Sequence, residues 1–404
     1  MLRPMFVTGS LVHGGAERHS ITLMNRLADR GHQCHAVYVK NDPSQLARIH
    51  PHEGATVRCM NASRFLDVQA IEEFAAHIAR VDPSVIVAAN GYALMNASLA
   101  RLRTHLPIPV VATFHTTQVM GLKEHLKMLI DRPFFWGAAR TIYVCEMQRR
   151  YWRVRGVCSR QNEVIHNGVD TQYFQDTASR YDRRVWREAH GLSASDYVIG
   201  ISAVLRPEKN HLQLVEAVAA LRRTGIPARA LVIGDGPMRG AIEARAHELG
   251  VGADVLITGF QQEVRPFIAA CDVMVLCSVA VETFSLAALE AMAMGKPVIH
   301  AQLGGAAEMI SPGKNGFLFP VGDTKALVSR LFVLAKGSLA TQMGRTARAI
   351  AEARFSETVM VDRYERMLLQ VCSKRSSAEA PLRRIGAIRA RHINNAGQSR
   401  SELP

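Results

Sequence analysis

The chain has 404 residues, 48% of them apolar and 21% charged, with a formal net charge of +14. That size and mix describe a globular protein of two or three domains, each able to build a core. The seven cysteines include no C-x-x-C pair and are odd in number, which speaks against a disulfide frame or a zinc site and for reduced thiols. No H-E-x-x-H or D-x-D is present, so no metal is expected. The opening MLRPMFVTGSLVHGGAE lacks the long apolar stretch and cleavage site of a signal peptide, and no run approaches the length of a membrane span. The expected location is cytoplasmic. The basic balance suits anionic partners, phosphate or an anionic membrane face, ahead of nucleic acid, for which no motif stands in the chain.

In chain order, MFVTG reads as a first strand, followed by a helix from about Gly15 to Arg30 and a second strand in CHAVYVK. VIVAAN, PVVATFH, TIYVC and EVIHNG repeat the pattern. Such continuous apolar runs belong to strands buried on both faces, hence to parallel sheets covered by helices. The stretch Thr171–Ser195 is polar and breaks the series, which places a domain boundary within it. A second series follows: YVIGISAVL, RALVIGDG, DVLITGF, DVMVLCS, PVIHAQ and GFLFP, separated by helical segments such as HLQLVEAVAALRRTG. SETVMVDRYERMLLQVC reads as a last helix. Lys374–Pro404 holds seven Lys/Arg and two Glu and reads as a basic, disordered tail.

Ligands of open parallel sheets bind beyond the carboxyl ends of the strands, so the loops there carry the chemistry. In the first loop Gly14 and Gly15 precede a helix, where backbone can approach a ligand and the helix N-terminus favours an anion. In the E-x7-E stretch Glu282-Thr283-Phe284-Ser285-Leu286-Ala287-Ala288-Leu289-Glu290, Ser285 is a candidate helix cap. The N–H groups of residues 284–287 then form a phosphate seat flanked by two carboxylates. Arg206 and Lys209, in LRPEKNH after another strand, can neutralise a leaving diphosphate without metal. Gly234-Asp235-Gly236 misses the dinucleotide fingerprint, because Arg239 stands where its third glycine is needed.

The set GGAER, VIHNGVD, LRPEKNH, VIGDGP, ITGF, ETFSLAALEAMAMGKPVI, GGAAEMI and NGFLFPVGD resembles, in type and order, the family-4 retaining glycosyltransferases, over residues 6 to about 370. The resemblance implies an α/β GT-B fold, in which two Rossmann-like domains with parallel sheets face a central cleft. Residues 1–175 would bind the acceptor and 190–350 the nucleotide-sugar donor, with a helix at about 356–372 crossing back to the first domain. It also implies roles. Gly15 would meet the donor phosphates through its backbone, with Gly14 beside it. Arg206 and Lys209 would hold the diphosphate. Glu282 would sit at the transferred sugar, near the N–H groups of Phe284, Ser285 and Leu286, and Glu290 would bind the ribose. His115, in TFHTT, resembles the family's cleft histidine. Two positions depart from the pattern: Val204 stands where many members have Arg, and Thr283 where many have Gly.

The implied activity is retaining transfer of a sugar from a nucleoside diphosphate to a saccharide or lipid-linked acceptor, with no cofactor, in cell-surface glycan synthesis. A nucleotide-sugar 2-epimerase and a non-catalytic sugar-nucleotide sensor are the alternatives. Val119–Arg132 reads as a helix with Leu122, Leu126, Leu129 and Ile130 at helical spacing beside Lys123 and Lys127. Phe134, Phe135 and Trp136 and the arginines 149, 150, 153 and 155 follow. Either this apolar set packs into the core, or it forms a basic, partly apolar edge for peripheral contact with the inner membrane face.

Overall fold

The computed structural model describes residues 1–12, 14–50, 52–116, 121–175 and 183–373, with backbone alone for 122–125. The basic tail, His13 and residues 119–120 lie outside them, as do the side chains of Leu122 and Lys123.

Two parallel sheets carry the two domains. The first contains β1 (Pro4–Thr8), β2 (His35–Tyr38), β3 (Val57–Cys59), β4 (Val85–Ala89), β5 (Val110–Phe114), β6 (Arg140–Tyr143) and β7 (Asn162–Val164), in the order β3-β2-β1-β4-β5-β6-β7. The second contains β8 (Tyr197–Ser202), β9 (Ala228–Ile233), β10 (Val255–Ile257), β11 (Val273–Leu276), β12 (Val298–Ala301) and β13 (Gly316–Phe319), in the order β10-β9-β8-β11-β12-β13. The expected strands of both series are present; β3 is an additional edge strand. β1, β4 and β5 are buried at every residue, as their unbroken apolar sequences require.

Both sheets are doubly wound. Chain order reverses between β1 and β4 and again between β8 and β11. The carboxyl ends at these two reversals form the crevices where such sheets bind ligands. The helix Gly15–Asp29 follows β1 and the helix Leu286–Ala293 follows β11, so both direct their N-termini there.

The helix through residues 357–373 packs on the first sheet's domain. Its Met360, Val361, Tyr364, Met367, Leu368 and Val371 pack with Phe6, Leu23 and Leu27. A further core joins the domains directly, through Cys145, Val169 and Phe174 against Phe284, Met309 and Phe355. Among the described residues no helix is long and apolar enough to cross a membrane.

Candidate active site

The two crevices enclose two adjoining cavities of about 520 and 720 Å³. Gly15, Asn90, His115, Lys209, Glu282 and Ser285 line the first; Gly14, Arg18, Phe260 and Glu290 line the second. Gly15, Leu286 and Ala287 border both. All but one of the expected site residues therefore line these two spaces. The exception is Arg206, whose exposed guanidinium lies outside both linings, 4.0 Å from Glu208. Val204, standing where many relatives have Arg, borders the second cavity without a charge.

The anion seat follows from local sequence. The Ser285 hydroxyl oxygen caps the helix Leu286–Ala293 by accepting from the Ala288 N–H at 3.3 Å. Among the described residues the N–H groups of 284–287 have no protein partner. Uncapped N–H groups at the head of a helix favour an anion. The Phe284 ring is turned away into the core, stacked on His166 at 4.8 Å, which leaves its backbone to face the cavity. The loop is propped from below by Gly304, at φ +58, where a Cβ would come within 1.9 Å of the Glu282 carbonyl oxygen. At Gly15 a Cβ would meet no protein atom; the room it leaves belongs to the cavities.

Lys209 closes the turn after β8, and its Nζ donates to Glu282 Oε2 at 2.7 Å. The same oxygen accepts from Ser278 Oγ at 3.0 Å. The cation expected at the diphosphate and the carboxylate expected at the sugar thus stand in direct contact. Glu290 is buried and pairs with Arg18 of the first domain at 2.7 Å.

His115 sits at the end of β5. Its backbone N–H donates to Asn90 Oδ1 at 2.9 Å, and its carbonyl accepts from the Thr283 hydroxyl across the cleft at 3.0 Å. Burial holds its imidazole well below the ordinary range, with the neighbouring His19 ring at 4.7 Å acting in the same direction. The ring is therefore neutral at pH 7, a hydrogen-bonding group rather than a cation.

Four contributors escaped the sequence reading. Arg18 meets Glu290. Asn90 takes a left-handed conformation (φ +66) to reach His115. Asn167 donates to the Phe284 carbonyl at 2.9 Å, fixing the seat loop against the first domain. Glu308 accepts from the N–H groups of Glu146 and Met147 and from His166, capping a helix of the opposite domain. Arg18, Asn167 and Glu308 stand in the motifs GGAER, VIHNGVD and GGAAEMI, whose membership marked the stretch but not the role of each side chain; Asn90 lies outside them. Among the described residues one group could hold a metal ion: Asp29, His50 and His52, whose ligand atoms lie within 4.8 Å of one another. None of these residues lines the cavity around Lys209, while His50 borders the second cavity.

The model for glycosyl transferases group 1 matches residues 182–350, and that for glycosyltransferase family 4 matches residues 13–173. The chain belongs to the group 1, family 4 glycosyltransferases. It is similar to the N-acetyl-alpha-D-glucosaminyl L-malate synthase of Bacillus anthracis, at 28% identity over 89% of this chain and 94% of that protein. It is also similar to the putative glycosyltransferase EpsD of Bacillus subtilis, at 35% identity over 50% of this chain; the match spans about half (53%) of that relative. Among solved structures, Anabaena HepE in complex with UDP superimposes with a TM-score of 0.81 and 22% identity, covering 91% of this chain and 100% of that one. This likeness shows the GT-B fold.

Proposed function

We propose that this glycosyltransferase moves a sugar, with retention at the anomeric carbon and without metal, from a nucleoside diphosphate to a saccharide or lipid-linked acceptor. The pathway is cell-surface glycan synthesis, with the acceptor met at an anionic membrane surface. One juxtaposition supports the reading most: the free N–H groups of 284–287, the Lys209 ammonium and the Glu282 carboxylate around one cavity, with Glu290 in the next.

In the first cavity the bond between the anomeric carbon and the diphosphate oxygen breaks, and negative charge grows on the leaving diphosphate. Lys209 and the helix N-terminus stabilise that charge as it forms. Glu282, held by Lys209 and Ser278, orients the sugar hydroxyls. The acceptor oxygen attacks from the same face, and its proton passes to the leaving diphosphate. In the second cavity Glu290 takes the ribose and Phe260 lies beside the base. Arg206 acts only by turning inward from the rim. No cofactor is invoked, since the nucleotide sugar is a substrate. HepE, whose fold this chain shares, is described with UDP and with UDP-glucose, which favours a nucleotide-sugar donor here as well.

A mass-spectrometric screen of UDP- and GDP-sugars against free and lipid-linked saccharides, run in EDTA, tests this reading. The expected result is a glycosylated acceptor together with free nucleoside diphosphate. A changed sugar without use of acceptor would identify an epimerase, and binding without turnover a sensor. Activity lost in EDTA and restored by magnesium or manganese would overturn the metal-free chemistry.

A further inference from the structure

Four arginines surround a separate cavity of about 430 Å³ in the first domain: Arg140, Arg149, Arg153 and Arg160, with Glu163 as its one acidic residue. Arg140 opens β6 and Arg160 leads into β7, while Arg149 stands midway along, and Arg153 at the end of, the helix Glu146–Arg153 that runs back from β6. The cavity therefore lies at the amino ends of these strands, opposite the cleft. Glu163 is already engaged by Arg140 at 3.2 Å, and Arg149 pairs with Glu146 at 2.8 Å. The guanidiniums of Arg153 and Arg160 have no ion pair or hydrogen bond among the described residues. Like charges held around one concavity repel, and an anion relieves that repulsion. Guanidinium forks match the oxygen geometry of phosphate.

The surroundings are apolar in an unusual way. Val154, next after Arg153, is 81% exposed. Two residues on, the Gly156 carbonyl accepts from Trp136 Nε1 at 2.8 Å, and Trp136 is itself 58% exposed. Trp136 ends a row on the helix Leu122–Gly137 that includes Leu126 (55% exposed), Leu129 (49%) and Ile130 (53%). Among the described side chains of the same helix Asp131 and Phe135 are buried, with Met128 and Phe134 half-buried against the core. The helix thus turns an apolar row to solvent, contrary to the packing expected of a core helix. Its 16 residues span about 24 Å. It begins at Leu122, close after the cavity-lining Thr116, and ends beside the arginines.

We propose that the four-arginine cavity seats the phosphate of an anionic lipid headgroup, with Val154, Trp136, Ile130, Leu129 and Leu126 resting in the acyl boundary. Charge and apolar surface together select a bilayer: the arginines complement its anionic headgroups, and the row supplies the apolar contact that a free phosphate has no use for. The helix then lies along the membrane with the cleft at one end. This inference deepens the membrane-surface part of the proposed function and is independent of the chemistry in the cleft.

Flotation with phosphatidylcholine vesicles, with and without phosphatidylglycerol, tests it. Wild type is expected to float only with the anionic vesicles, and less as salt rises. Arg153→Glu with Arg160→Glu should lower the bound fraction roughly tenfold or more, and Val154→Asp with Ile130→Asp should lower it by a similar factor. These residues are exposed, and unchanged melting temperatures of the variants would show that they fold. Wild type that stays unbound, or variants that float as well as wild type, would overturn the proposal. So would stabilisation of wild type by inorganic phosphate without vesicle binding, which would make the cavity a free-phosphate site. A dimer in light scattering, abolished by Ile130→Asp with no flotation, would assign the apolar row to a second copy of the chain. Transfer to a soluble acceptor, measured alongside, should be unchanged in both variants; its absence from wild type would count against the transfer reading alone.

Discussion

Lys209 and Glu282 lie 73 positions apart in sequence and 2.7 Å apart in the fold. Removing the lysine takes away the cation facing the seat and leaves Glu282 with Ser278 alone. Loss of one stabiliser of a developing anion costs on the order of 3 kcal/mol, so Lys209→Ala should lower kcat by roughly a hundredfold with the melting temperature nearly unchanged. Normal turnover at saturating donor would remove Lys209 from the chemistry. A second residue-scale expectation concerns protons. Burial holds His19, His77 and His211 at about 4, below the ordinary value of 6.5, and lowers His115 as well. Between these limits the unfolded chain binds more protons than the folded one. The stability these neutral rings allow is fully present above about 6.5 and is lost as pH falls through about 4. The melting temperature should drop steadily across that window; a flat profile would mean that the rings are not held neutral. The placement of Lys209, Glu282, Ser285 and Glu290 at the cleft was legible because each sits in a short motif that follows a strand's carboxyl end. Asn90 and Asn167 were not, since each acts on a partner brought close only by tertiary structure.

At the scale of elements, β1, β4 and β5 were legible because burial on both faces demands unbroken apolar runs. β3 is a three-residue edge strand, Val57-Arg58-Cys59, half exposed, and leaves no such trace. The helix Leu122–Gly137 left two readings open, and the structure divides the set: Phe135 is buried in the core with Phe134 packed against it, while Leu126, Leu129, Ile130 and Trp136 are exposed. The loop ahead of the helix Leu286–Ala293 carries the departure at Thr283. There the side chain replaces the room of a glycine with a hydroxyl that ties this loop to the end of β5 through the His115 carbonyl. One such hydrogen bond contributes about 1 kcal/mol net. Thr283→Val should therefore raise the donor KM by about fivefold, while Thr283→Ser should leave it near wild type. Equal KM values for wild type and Thr283→Val would deny the bond any part in holding the cleft.

Two doubly wound domains are tied, among the described residues, by the returning helix 357–373, by the shared core around Phe284 and Phe355, and by polar contacts across the cleft from Arg18, Asn167, Thr283 and Glu308. These ties hold the seat on the second domain against His115 on the first, and the proposed same-face transfer relies on that arrangement. The sequence showed two series of strands but not how the cleft is closed, because Arg18–Glu290 and Thr283–His115 link residues more than 150 positions apart. The most direct measurement follows the first product formed from a matched nucleotide sugar and acceptor by proton NMR. The new glycosidic bond should show the anomeric configuration of the donor, with nucleoside diphosphate released in equal amount. A product of opposite configuration would contradict retaining, same-face transfer.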